Sequence, residues 1–267
     1  MNILISNDDG VLAVGLGALR WAVADLGTTT VVAPQTPQSA AGHSITLREP
    51  LTVSRLELED PAGGRFEAIS VNGRPADCVR LALRKLVVEQ GRRSDLVLAG
   101  INAGSNVGVN VFYSGTVAAA AEGAMLSLPA VAFSLEMSPA KPPDYTRAAR
   151  FCRWVLDRLL ERGLAGGDLI NVNIPALLPH EQPAGVCVVP QSTAGIDDEY
   201  LLQPSSDGTQ QYRLGDYFSY QASGEDTDVS RILKGWITIT PLHFDMTHHQ
   251  RLGSLAEMRW DGPPARP

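Results

Sequence analysis

An apolar triplet, Ile3-Leu4-Ile5, runs into Asn7-Asp8-Asp9-Gly10, and after it Leu16, Leu19, Val23 and Leu26 recur at helical spacing up to Gly27. The β-branched and apolar segment Thr28–Ala33 follows and stops at Pro34. Strand, loop, helix and strand in that order make a βαβ unit, whose crossover should be right-handed. A chain that begins so is committed to an open, mostly parallel sheet of the α/β class.

The remainder extends the same alternation. Residues 34–44 form a long polar loop, and Ile45–Leu58 and Phe66–Val71 read as extended. A helix starts at Pro75, suited to a first helical turn, and passes through Val79, Leu83 and Leu86. Asp95–Ala99 is a buried strand that feeds a loop over 100–114, rich in Gly and Asn. An alanine helix from Thr116, a strand over Pro129–Ser134, an amphipathic helix over Asp144–Glu161 and a strand at Leu169–Ile174 come next. Residues 191–226 lose helical periodicity and suggest a β-rich arm, after which Gly235–Pro241 closes with an alternating strand. The terminal Gly262–Pro267 is expected to be disordered.

Composition narrows the function. With 22 basic against 29 acidic side chains and a net charge of −7, the chain lacks the cationic surplus that holds a nucleic-acid polymer through its phosphates. The most membrane-like window, Gly115–Phe133, contains Glu122, Ser127 and Pro129 and is better read as a buried helix followed by a strand, so no membrane partner is expected. No export signal is read at the start, and Cys78, Cys152 and Cys187, odd in number and far apart, read as reduced thiols. A cytoplasmic location follows as the expectation.

Asp8 and Asp9 stand at the carboxyl end of the first strand, where open α/β sheets bind ligands. Consecutive strand residues point to opposite faces, so the two carboxylates can converge only once the strand has given way to a loop, a freedom Gly10 supplies. Oxygen donors of this kind suit Mg²⁺ or Mn²⁺. The same four residues are equally ordinary as a turn with helix-capping aspartates. In the second loop, Asn102 and Asn106 offer neutral oxygen or amide groups. Ser114, Gly115 and Thr116 precede the alanine helix, where hydroxyls and free N–H groups can seat a phosphate or simply cap the helix. His43 can assist proton transfer or merely lie on the surface. His243, His248 and His249 lack a third ligand and read as structural or solvated.

Three blocks together resemble the SurE family of survival-protein phosphatases, the 5′/3′-nucleotidases. They are Ile3–Gly10, then Val32-Ala33-Pro34 with Gln38–Ser44, and Gly100–Gly104 running to Tyr113–Ala120; Asp77-Cys78-Val79, Thr227-Asp228 and Ile239–Leu242 support them. The resemblance implies a three-layer α/β/α sandwich with a Rossmann-like core over 1–190. It also implies an extension over 191–249 exchanged between subunits of a homodimer or homotetramer, followed by a tail over 250–267. One divalent metal ion per subunit would be held by Asp8, Asp9, Ser39 and Asn102. The substrate would be a nucleoside monophosphate, with short polyphosphate a further one. Relatives commonly continue after Gly10 with a valine, a histidine and Ala-Pro-Gly, where this chain has Val11-Leu12-Ala13-Val14-Gly15, and Ala40 replaces a common glycine. Those changes bear on the mouth of the site rather than on the ligands.

The mechanism expected is metal-assisted attack of water on a phosphomonoester, with catalytic roles for Asp8, Asp9 and Asn106. Asn106, Ser114, Gly115, Thr116 and His43 would be the phosphate or substrate contacts. Two alternatives are an aspartyl-phosphate phosphatase with Asp8 as nucleophile and a non-catalytic phosphate-sensing module of the receiver type.

Overall fold

Alternating apolar strands and helices assemble into one central sheet with helices on both faces. The computed structural model describes residues 1–205, 209–215, 219–220 and 224–258. The first half contains β1 (Asn2–Ser6), α1 (Val14–Val23), β2 (Thr28–Pro34), β3 (Val53–Glu59), β4 (Arg65–Val71), α2 (Pro75–Leu81), β5 (Leu96–Ala103) and α3 (Gly115–Met125). Next come β6 (Ala130–Leu135), α4 (Tyr145–Arg162), β7 (Leu169–Ile174) and β8 (Gly185–Val188). Four short strands follow, β9 (Ile196–Asp197), β10 (Tyr200–Gln203), β11 (Gln211–Leu214) and β12 (Ser219–Tyr220). The described chain ends with α5 (Asp228–Ile232), β13 (Trp236–Leu242) and α6 (His249–Ala256).

The main sheet has nine strands in the order β3-β4-β2-β1-β5-β6-β7-β13-β8. Six of its eight pairings are parallel; β3 with β4 and β13 with β7 are antiparallel. Leu16, Leu19 and Val23 of α1 and Val155 and Leu156 of α4 are buried in one core with Ile3, Ile5, Leu98 and Phe133. On the other face Val79 of α2 and the alanines of α3 pack on Leu4, Val32, Val97 and Ala132. This is the α/β class that the sequence pattern predicts, in the three-layer arrangement that the resemblance implies. Among the described residues no helix is long and apolar enough to cross a membrane.

The structure departs from the sequence reading in several places. β5 continues through Ala103, so residues 100–103 are strand and not loop. Gly100, at φ +129°, carries a shift of register between Ala99 and Asn102, after which pairing with β6 resumes at Asn102 and Ser134. The stretch 45–52 is loop, because Thr46 is tied to Asp77 and Pro50 has no N–H to give a ladder; β3 starts only at Val53. The helix from Pro75 ends at Leu81 and widens into a π-helical turn over Ala82–Leu86. An additional helix, α6, lies in the 250–267 region, whereas the segment 262–267 read as disordered lies outside the described residues.

Candidate active site

The loop after β1 is both a turn and a site. Asn7 is fully buried and its Nδ2 donates to the Gly10 carbonyl at 2.9 Å, closing the turn, while Gly10 takes φ +97°. Asp8 and Asp9 are thereby released from strand alternation, and each carboxylate is held by hydrogen bonds. Thr116 Oγ1, in the first turn of α3, donates to Asp8 Oδ1, and the Ala103 N–H donates to Asp9 Oδ2 at 2.8 Å. The opposite oxygens, Asp8 Oδ2 and Asp9 Oδ1, are not used by these bonds.

Asp8 is 6% exposed, and burial pushes its carboxyl up to about 6, with Asp9 adding to the rise and Thr116 opposing it. Asp9 is likewise raised by burial, against the pull of the Ala103 N–H. No Lys or Arg among the described residues figures in the electrostatics of either carboxylate. Two adjacent carboxylates held in place without a cationic partner form an anionic seat for a hard divalent cation. Among the described residues no three His, Cys, Asp or Glu side chains are grouped so that they could hold a metal ion, so an ion at this pair would need neutral oxygens for the rest of its protein ligands. Asn102 is suited to this: its Nδ2 donates to the Gly104 carbonyl at 2.6 Å, which leaves its Oδ1 as the acceptor end. The donor chemistry therefore fits the metal that the family resemblance implies.

The loop over residues 34–52 is laced to this seat. Its Gln38 N–H donates to the Asp8 carbonyl at 2.7 Å, and its Gly42 N–H to the Tyr113 carbonyl at 2.9 Å. Ser39 follows Gln38 directly and is exposed. Ala40 adopts φ +54°, the left-handed conformation that glycine favours, so the backbone path survives the replacement noted above. His43 is not brought to Asp8. Its Nε2 is 2.9 Å from Glu122 Oε1, and Thr116 and Glu122 are separated by roughly 9 Å along α3 at 1.5 Å per residue. Burial pulls the Glu122 carboxyl upward, but hydrogen bonds from His43 and Arg80 outweigh it and leave the group below the ordinary range. His43 thus anchors the loop to α3.

The helix end also divides its labour. Ser114 Oγ accepts the Val117 N–H at 3.0 Å and so caps α3. Thr116 donates its hydroxyl hydrogen to Asp8. Gly115 packs so closely on the acidic loop that a Cβ there would lie 2.7 Å from Asp8 Cβ and 2.9 Å from Asp8 Oδ2. Asn106 is buried, its Nδ2 donating to Ser134 Oγ at 2.9 Å. His243, His248 and His249 are exposed; His249 Nε2 lies 2.8 Å from Asp245 Oδ2.

Tyr145, Asn171 and Asn173 escaped the sequence reading, and Asp228 entered it only as part of the Thr227-Asp228 match, without a role. Tyr145, at the start of α4, has its phenol raised by burial and then by the nearby charge of Asp9. Asp228 is fully buried and accepts N–H bonds from Gly108 and Ser192, both at 2.8 Å, tying the 104–114 loop to the chain beyond β8. Asn171 and Asn173, alternate residues of β7, reach under the same loop. The signal for the asparagines was present, since polar side chains at every second position of Leu169–Ile174 share one face of an otherwise apolar strand.

An α/β/α sheet that brings two unpaired carboxylates, side-chain amides and the amino end of a buried helix together at its strand ends defines the class of metal-assisted phosphate-handling proteins. The family model for "Survival protein SurE" matches residues 3–198. The chain is 40% identical over 260 residues to "5'-nucleotidase SurE 1" of Thermus thermophilus, covering 96% of this chain and 97% of that protein. It is 38% identical over 257 residues to "5'-nucleotidase SurE" of Symbiobacterium thermophilum, covering 96% and 97%. The crystal structure of the SurE protein from Aquifex aeolicus superposes with a TM-score of 0.77 at 33% identity, covering 96% of this chain and 98% of that one. The chain belongs to the SurE family.

Proposed function

We propose that this protein is a metal-dependent 5′-nucleotidase that hydrolyses nucleoside monophosphates to nucleoside and inorganic phosphate. The observation that carries the reading is the pair of buried Asp8 and half-buried Asp9, without a cationic partner among the described residues, with Asp8 set against the first turn of α3. Its family membership supports the activity, because the Thermus thermophilus and Symbiobacterium thermophilum relatives are named 5′-nucleotidases. Neither the sensing module nor the aspartyl-phosphate phosphatase draws support from those relatives.

Asp8, Asp9, Asn102 and Ser39 would hold the ion, either Mg²⁺ or Mn²⁺, one per subunit. When bound, it would supply charge neutralisation at the phosphoryl oxygens and acidify the attacking water. Thr116 orients Asp8 and the Ala103 N–H orients Asp9, so both carboxylates are set before substrate arrives. Asn106 and the α3 amino end at Gly115 would receive the remaining phosphoryl oxygens. Water attacks phosphorus in line with the ribose oxygen; the new P–O bond forms as the ester bond breaks, and the nucleoside leaves as its alcohol. Leu12 and Val14, 74% and 66% exposed, stand where the resemblance noted above has other residues and would bear on the mouth of the site.

The chain beyond residue 190 supports a homodimer or homotetramer built on an exchanged arm. Its β10–β11 hairpin carries Tyr200, Leu202 and Tyr212, each more than half exposed, an apolar surface suited to a second copy.

Hydrolysis of p-nitrophenyl phosphate with Mn²⁺ or Mg²⁺ is the first test, followed by a panel of 5′- and 3′-mononucleotides and short polyphosphate. Activity should vanish with EDTA and return with excess Mn²⁺. Metal binding without turnover on any member of the panel would overturn the reading.

A further inference from the structure

β7 carries two asparagines where packing alone would favour aliphatic residues. Asn171 and Asn173 are both fully buried, on the sheet face covered elsewhere by the alanines of α3. Burying an amide costs free energy unless its hydrogen bonds are replaced, and among the described residues Asn171 Oδ1 has no partner. What the two side chains do hold is one residue, Asn106.

Asn173 meets the backbone of Asn106 with both ends of its amide: Oδ1 accepts the Asn106 N–H at 2.7 Å and Nδ2 donates to the Asn106 carbonyl at 3.2 Å. Asn171 Nδ2 donates to the same carbonyl at 2.7 Å. Ser134 Oγ accepts from Asn106 Nδ2 at 2.9 Å, so backbone and side chain are both fixed. Register explains the convergence. Asn102, Ser134 and Asn173 are partners across β5, β6 and β7, a single polar row that starts at the proposed metal ligand and ends under Asn106.

We infer that Asn173, assisted by Asn171 and Ser134, is a positioning residue that sets Asn106 against the substrate phosphoryl group. The inference rests on the phosphatase reading. The two amides are retained at a cost in packing because a glycine-rich loop could not otherwise hold a side-chain amide to the fraction of an ångström that transition-state contact demands.

A double-mutant cycle tests this with the full-length protein, Mn²⁺ at saturation and p-nitrophenyl phosphate. Asn173→Ala should lower kcat/KM on the order of 10²-fold. It should also weaken inhibition by inorganic phosphate while leaving Mn²⁺ affinity unchanged, since Asp8, Asp9 and Asn102 are not touched. The double variant Asn106→Ala with Asn173→Ala should be no worse than Asn106→Ala alone. A merely structural role would move the thermal midpoint and multiply the two losses. Should Asn173→Ala fail to fold, the near-isosteric Asn173→Leu and the milder Asn171→Ala carry the same cycle. Wild-type kcat/KM in the folded Asn173 variant, or independent losses in the cycle, would overturn the positioning role while the phosphatase reading stands. A wild-type protein without metal-dependent turnover would overturn both.

Discussion

Asp8→Asn is expected to lower kcat/KM for p-nitrophenyl phosphate by about 10³-fold or more, on the order of the several kcal/mol that a bound metal contributes. The fold should be unharmed. Asparagine keeps the shape of aspartate and its Oδ1 still accepts from Thr116, while the negative charge that the ion needs is gone. The metal-free variant should even gain stability at neutral pH. Asp8 is raised from 3.8 to about 6 in the folded chain, so the folded state binds that proton more tightly than the unfolded state does. Its contribution to stability therefore falls as pH rises from the unfolded value through the folded one. Thermal unfolding of EDTA-treated protein at about pH 5 and about pH 8 should show a drop for the wild type that shrinks in Asp8→Asn. Near-normal turnover by the variant would remove Asp8 from the site.

Gly115→Ala should be nearly as damaging to activity for a steric reason. The added methyl would stand 2.7 Å from Asp8 Cβ and 2.9 Å from both Asp8 Oδ2 and Pro75 Cγ. Asp8 is itself tied down by Thr116 and Gln38, so the clash must displace the carboxylate or the helix end. A shift of about 1 Å is enough for a loss on the order of 10²-fold, and overpacking should cost about 1–3 kcal/mol of stability. Gly123→Ala is the control, because its methyl would stand 2.6 Å from Val97 Cγ2 in the core of the same helix. It should destabilise the fold yet leave kcat near wild type in the folded protein. Equal losses of kcat in the two variants would mean that the Gly115 contact has no special part in the reaction.

Much of the architecture was legible because it is locally encoded. The strand at Leu169–Ile174 and the helix behind the Asp144 cap follow from period-two and period-3.6 apolar spacing, and both lie where that spacing puts them. The extension of β5 was not legible, since Gly100-Ile101-Asn102-Ala103 has loop composition and is strand only because β6 resumes pairing with it after the register shift. His43 shows the same limit at the level of a side chain. Its setting in a polar loop left proton transfer and a plain surface position both open, and only the tertiary structure shows its partner Glu122, which the alanine helix carries on its buried side.

By itself the sequence determined the parallel α/β plan, the acidic turn after the first strand and the family to which these motifs belong, because each is written in contiguous residues whose spacing sets strand, turn or helix. Tertiary structure alone decided how that turn becomes a site. The bonds that aim Asp8, Asp9 and Asn106 join residues 108, 94 and 67 positions apart, and such partners are chosen by sheet order and register rather than by neighbours in the chain.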